Sequence, residues 1–210
     1  MTSNPTTDQE QFWSGQFGDD YSARNRGTDL VASNTAFFSR ILSRTSGVQS
    51  VLELGANIGL NLKAIRQLIP SAKLSAVELN QKASEELSRS QPDVQLTVGS
   101  ILDYQPNELS DLVFTKGVLI HINPERLPDV YSLIHRASRR YVLIAEYYNP
   151  IPIEIPYRGH AERLFKRDFA GEMLTRFSDL ALVDYGFVYH KDPVFQQDDL
   201  TWFLMKKSMI

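Results

Sequence analysis

The stretch Val51-Leu52-Glu53-Leu54-Gly55-Ala56-Asn57-Ile58-Gly59-Leu60-Asn61-Leu62 decides how this chain is built. A short apolar run breaks at Gly55. After Gly59 the apolar residues return at helical spacing, as Leu62, Ile65, Leu68 and Ile69. Strand, tight turn and helix in that order open a doubly wound α/β sheet. Glycines at such a corner let backbone approach a ligand closely, and the first N–H groups of the helix have no partner within it. Nucleosides and phosphates are the usual occupants.

Two acids narrow the choice. Glu53 ends the first strand, where a carboxylate near those N–H groups repels a pyrophosphate and welcomes a cation. The dinucleotide fingerprint G-x-G-x-x-G is also broken, because Asn57 stands two residues after Gly55. Asparagine tolerates positive φ, so the corner survives the exchange. Glu78 ends the next strand, Lys73 to Glu78, and a carboxylate there can accept both ribose hydroxyls. The pair favours an adenosine-type ligand without phosphates, carrying an amine or a sulfonium.

The chain has 210 residues, 42% hydrophobic and 22% charged, with a formal net charge of −3. That suffices for one well-buried domain spanning 1–210 and not for two. The acidic balance argues against a nucleic-acid partner, which needs a basic face. No apolar run is long enough to span a bilayer, and no signal peptide pattern opens the chain. Zero cysteines exclude disulfides and thiolate metal sites and fit a cytoplasmic protein; no metal is expected.

Residues 1–46 read as a polar, frayed start to about Asp8, then an aromatic stretch from Glu10 to Tyr21, then a helix from Asp29 to Leu42. The aromatic stretch suits either packing on the sheet or a lid that folds Tyr21, Arg24 and Asn25 over the site. Within 47–210, helices are expected after Gly59 to Pro70, over Gln81 to Arg89, from Asn123-Pro124 to Ala137, and from Asp168 or Phe169 through Phe177. Further strands fall at Gln95 to Val98, Asp111 to Thr115, Tyr141 to Ala145, Ala181 to Tyr189 and Thr201 to Lys206. That makes seven strands, and right-handed crossovers bring the carboxyl ends of the parallel ones to one edge. The segment from about 147 to 167 is irregular, with three prolines, and reads as a substrate loop.

Glu53-x-Gly55-x-Asn57-x-Gly59, followed by a second strand ending in Glu78, resembles motifs I and II of class I S-adenosylmethionine-dependent methyltransferases. Phe12-Trp13, Tyr21, Arg24-Asn25, Lys116-Gly117-Val118-Leu119-Ile120-His121, Tyr157-Arg158-Gly159-His160 and Phe165-Lys166-Arg167-Asp168-Phe169 extend the likeness. With them the chain resembles the methylases associated with pseudaminic acid biosynthesis. The resemblance implies a Rossmann-like methyltransferase fold with a closing antiparallel strand, and S-adenosylmethionine as cofactor. It implies Gly55, Asn57 and Gly59 for the backbone cradle, Glu78 with Leu79 for the ribose, and Ser100 and Ile101 for the adenine. Many members carry an acid after the glycine at Gly99; here Ser100 stands there, and Asp103 is the nearest substitute. Glu53 would orient the turn or meet the amino group. Lys116, Gly117, Val118, Tyr21 and Arg24 would complete the methionine end, with Arg24 forking the carboxylate.

Methyl transfer needs alignment, exclusion of water and, for some acceptors, a base. His121 and His160 are the candidates; His121 can equally be structural, donating to a carbonyl at the helix start. Tyr147, Tyr148, Tyr157, Arg158, His160, Arg163 and Asp198 are the candidate substrate residues, for a carboxylate, phosphate or amine of a small polar acceptor. The acceptor would be sugar-derived, in a nonulosonic acid pathway, or amino-acid-like, methylated at O or N. The competing readings are a nicotinamide oxidoreductase, a nucleoside-binding module without turnover, and a protein or tRNA methyltransferase.

Overall fold

The computed structural model describes residues 7–208. In chain order the elements are α1 (Asp8–Ser14), α2 (Gln16–Arg24), α3 (Thr28–Leu42), β1 (Ser50–Leu54), α4 (Leu60–Leu68), β2 (Lys73–Glu78), α5 (Gln81–Ser90), β3 (Gln95–Val98), β4 (Ser110–Lys116), α6 (Leu127–Ala137), β5 (Ser138–Glu146), β6 (Ile153–Glu154), β7 (Phe165–Lys166), α7 (Phe169–Arg176), β8 (Leu180–Phe187) and β9 (Thr201–Lys207). Seven strands form one sheet in the order β3-β2-β1-β4-β5-β9-β8. All neighbours from β3 to β5 pair in parallel, and β9 runs antiparallel between β5 and β8. This is the expected doubly wound, mostly parallel sheet.

Period-two alternation along the strands feeds two cores. Val51, Leu112, Phe114 and Leu143 pack with Phe38, Ile41, Leu62 and Ile65 of α3 and α4. Leu52, Val113, Val142 and Ile144 pack with Val130, Ile134 and Met173 of α6 and α7 on the opposite face. Because the strand order reverses between β1 and β4, their carboxyl ends diverge and leave a crevice there. No helix among the described residues is long and apolar enough to cross a membrane.

Local chemistry adjusts several boundaries. The frayed start is expected to reach Asp8. Its residues 1–6 lie outside the described residues, but Thr7 and Asp8 are ordered: Thr7 caps α1 in a capping box with Glu10. Asn123 and Pro124 open a 3-10 turn, Pro124–Arg126, and α6 begins only at Leu127 with Pro128 in its first turn. The irregular substrate loop contains the two-stranded β6–β7 hairpin.

Candidate active site

The corner after β1 is left-handed at three positions: Gly55 (φ 79°), Asn57 (φ 49°) and Gly59 (φ 79°). A Cβ on Gly55 would lie 2.6 Å from Cγ2 of Val118, so the turn and the loop leaving β4 touch through a missing side chain. Asn57 holds its conformation with side chain and backbone together. Its Oδ1 accepts from the Ser22 hydroxyl of α2 at 2.6 Å. Its N–H donates to Oε2 of Glu78 at 2.6 Å, while Asn80 N–H donates to Oε1 at 2.7 Å. The Glu78 carboxyl is therefore clamped at the tip of β2. Burial pushes its pKa up, and the N–H groups of Asn80, Asn57 and Leu79 pull it down.

Over the tips of β1, β2 and β4 lies a cavity of about 680 Å³. Gly55, Asn57, Glu78, Leu79, Ser100, Ile101, Lys116, Gly117, Val118, Tyr21, His121 and Asp198 of the expected residues line it. Gly59 does not; it caps α4, and a Cβ there would meet Leu87 Cγ at 2.9 Å. Asp103 is also absent from the wall.

Glu53 departs from its expected place. It is 1% exposed and lies outside the cavity wall, with Oε1 accepting from Asn61 Nδ2 at 2.6 Å. Burial raises its pKa to about 8, against the opposing pull of Asn61 and Lys116. Of the bonded pair Glu53 and Asn61, only Asn61 reaches the cavity. Lys116 lies on the wall, its ammonium 3.3 Å from Asn34 Oδ1 and 5.6 Å from the Phe37 ring centroid. Burial pulls its pKa down, while Glu53, Asp198 and Glu146 push it up.

His121 sits in a 3-10 turn, Leu119–His121, just beyond β4. Glu146 at the end of β5 holds that turn: its carboxyl accepts the N–H groups of Val118 and Leu119, each at 3.1 Å, and of Ile120 at 3.4 Å. The His121 Nδ1 is 2.6 Å from the Arg163 carbonyl. A carbonyl only accepts, so Nδ1 carries the proton and Nε2 the lone pair. Enclosure beside the Trp13 ring (4.5 Å) and the Tyr157 ring (5.1 Å) pushes the imidazole pKa down to about 4. At neutral pH the ring is an uncharged hydrogen-bond acceptor.

The first two helices close one side. Asn80 Nδ2 donates to Asp19 Oδ1 at 2.9 Å, Gln9 Nε2 to the Glu162 carbonyl at 3.1 Å, and Ser100 Oγ to Oε1 of Glu10. The segment between β8 and β9 closes the other, where Gln197 Nε2 donates to the Ser33 carbonyl at 2.9 Å. Tyr21 and Tyr147 cluster about Asp198. The Tyr147 hydroxyl bonds to it, and burial raises the Tyr21 pKa to about 12.

Several expected residues stay out of the cavity. Arg24 is exposed, with its guanidinium 5.9 Å from the Phe17 ring, and is not part of the cavity wall. His160 is exposed and rests on Phe12 at 5.0 Å, outside the cavity wall. Arg158 and Arg163 lie over the rings of Tyr157 and Phe12, and Tyr148 is exposed against Phe203. Tyr147 and Tyr157 stand behind the wall. For His160 and Arg163 the reason is packing: both find a partner in the Phe12 ring of α1, which offers cation–π and apolar contact. Glu10, Gln9, Asn34, Asn61 and Gln197 line the cavity without having been expected. Thr7-x-x-Glu10 was legible as a capping box, but the spacing tells nothing of what the helix faces.

No family model matches the chain, and no curated protein does. Solved structures do. The magnesium protoporphyrin IX methyltransferase of Synechocystis with bound S-adenosylmethionine has a TM-score of 0.68 at 13% identity, covering 98% of this chain and 100% of its own. The 1,6-didemethyltoxoflavin-N1-methyltransferase of Burkholderia thailandensis, with its substrate and S-adenosylhomocysteine, scores 0.69 at 13%, covering 99% and 94%. An S-adenosylmethionine-dependent methyltransferase of Clostridium acetobutylicum scores 0.64 at 14%, covering 92% and 98%. At this identity the likeness shows a shared Rossmann-like methyltransferase fold.

Proposed function

We propose that the chain is an S-adenosylmethionine-dependent methyltransferase acting on O or N of a small polar metabolite, sugar-derived or amino-acid-like. The observation that carries this reading is the Glu78 carboxyl, clamped by two backbone N–H groups at the tip of β2 and open to a 680 Å³ cavity. A carboxyl so fixed is suited to the two hydroxyls of a ribose without phosphates. The fold neighbours that hold S-adenosylmethionine or S-adenosylhomocysteine support the same assignment.

The residues present fit that cofactor. Glu78 takes the ribose, Leu79, Ser100 and Ile101 surround the base, and Lys116 receives the methionine carboxylate. Lys116 is the better carboxylate partner than Arg24, since it lines the cavity and its ammonium carries three donor hydrogens, one of them directed at Asn34 Oδ1 at 3.3 Å. When bound, the cofactor supplies a methyl carbon already activated by a sulfonium. The chain's part is to align the acceptor, exclude water and receive a proton. An acceptor hydroxyl can donate a hydrogen bond to Nε2 of His121, the unprotonated nitrogen of the neutral ring whose Nδ1–H is held by the Arg163 carbonyl, and this orients the acceptor oxygen.

The α1–α2 lid and the β8–β9 segment wall the site closely, which suits a compact acceptor. The likeness of Phe12-Trp13, Lys116 to His121 and Tyr157 to His160 to methylases of pseudaminic acid biosynthesis suggests a nonulosonic acid precursor. Calorimetric titration of S-adenosylmethionine into the protein and into Glu78→Ala tests the cofactor site: affinity falls by about tenfold or more. Unchanged affinity contradicts the reading. Incubation with labelled S-adenosylmethionine and a metabolite extract then identifies the compound that gains the methyl group.

A further inference from the structure

We propose that Glu10 of α1 is the residue that selects adenine, its carboxyl accepting a hydrogen from the exocyclic amine of the bound base. This rests on the cofactor reading above and assigns a residue of the N-terminal helix to it.

The sheet places the base. Glu78 ends β2 and pairs with Val98 of β3, the outermost strand on that side, so the two strand tips are level and about 4.8 Å apart. A nucleoside with its ribose on Glu78 and its side arm toward β1 and β4 has only the tip of β3 left for its base. There the cavity wall is apolar at Leu79, Ile101 and Leu102, and polar at Ser100 and Glu10.

Ser100 is not free to read the base itself. A hydroxyl has one proton, and that of Ser100 is given to Oε1 of Glu10, while its oxygen accepts the Leu102 N–H at 2.9 Å. The polar group offered to the base is therefore an acceptor, the Glu10 carboxyl. Its aim is set from both sides: Ser100 holds Oε1, and Oε2 accepts the Thr7 N–H at 2.9 Å within the capping box. Capping needs no burial, since a third-position Glu ordinarily caps from solvent. Glu10 is instead 6% exposed and part of the cavity wall, so its carboxyl belongs to the cavity as well as to the cap.

An amine on the base meets this carboxyl as a donor. A carbonyl oxygen at the same place meets it as a second acceptor and is rejected. Sites that hydrogen-bond one such group discriminate far more strongly than apolar pockets do.

The test is calorimetry with S-adenosylhomocysteine and its inosine counterpart, in which a carbonyl replaces the exocyclic amine. The protein binds the adenosine form about tenfold to a hundredfold more tightly. Glu10→Gln keeps a capping residue, so α1 is retained, and its amide can donate to the carbonyl; the preference collapses toward one or reverses. Thr7→Ala removes the hydroxyl of the capping box and its 3.3 Å contact with Oε2, but leaves the Thr7 N–H and Ser100 bonds that aim the carboxyl, and keeps the preference. A Glu10→Gln variant with the original preference overturns the proposal, as does a Thr7→Ala variant that loses it equally. Failure of the unaltered protein to bind either compound overturns the cofactor reading instead.

Discussion

Replacing Glu53 by Gln should flatten the decline of stability with rising pH. Glu53 is 1% exposed, its Oε1 bonded to Asn61, and its Oε2 without a partner among the described residues. Burial lifts its pKa from 4.5 to about 8, so the native state holds a proton that the unfolded chain releases. The stabilisation is complete below the unfolded value, near pH 4.5, and is lost as pH rises through about 8. Across the whole window the gap corresponds to on the order of 4–5 kcal/mol. Below about pH 6.5 the depressed His121 works in the opposite sense, gaining stability with pH. The clean interval is therefore about pH 6.5 to 8, where Glu53 accounts for roughly 2 kcal/mol, or about 4–8 °C in melting temperature for a chain of this size. Glu146, raised to about 7, slopes the same way but is common to both proteins. Melting curves of the protein and Glu53→Gln, taken across that interval, should diverge, with the variant flatter. Parallel curves would refute the assignment of the proton to Glu53.

Two further outcomes follow from the site geometry. Gly55→Ala places a Cβ 2.6 Å from Val118 at a φ of 79°, and strain with overlap should cost about 2–4 kcal/mol in urea unfolding; a loss under about 0.5 kcal/mol would mean the corner is slack. The His121 ring should show the Nδ1–H tautomer by nitrogen NMR and stay neutral between about pH 5.5 and 8, with protonation only near 4. A midpoint near 6.5 would show the ring to be solvated and its contact with Arg163 absent.

Much of the fold was legible because it depends on short-range pattern. The corner from Val51 to Leu62 has a strand period, two glycines and a helix period in one stretch, and β1, the turn and α4 form there. Val142 and Ile144 alternate with Leu143 in an apolar run, as a strand covered on both faces must. Glu78 could be placed at a strand tip by counting residues, and the structure sets it on the cavity wall. Sequence pattern could not tell that Glu53, one strand away, turns under α4. Both are acids ending strands, and which face each takes relative to the cavity is decided by the helices above.

The basic and aromatic residues from Tyr157 to Arg163 lie outside the cavity wall, which their sequence could not tell either. Their composition suits a ligand and suits the faces of Phe12 and Phe17 equally well, and only packing chooses between them. Glu10 is the converse case, a residue that spacing marks only as a helix cap and that sits beside Ser100 across 90 positions of chain. By itself the sequence determined the strands, the helices and the left-handed corner, because those follow from backbone sterics and the burial of alternating side chains. The tertiary structure decided which polar groups share the cavity, because that depends on long-range contacts of α1, α2 and the β8–β9 segment, which no local period records.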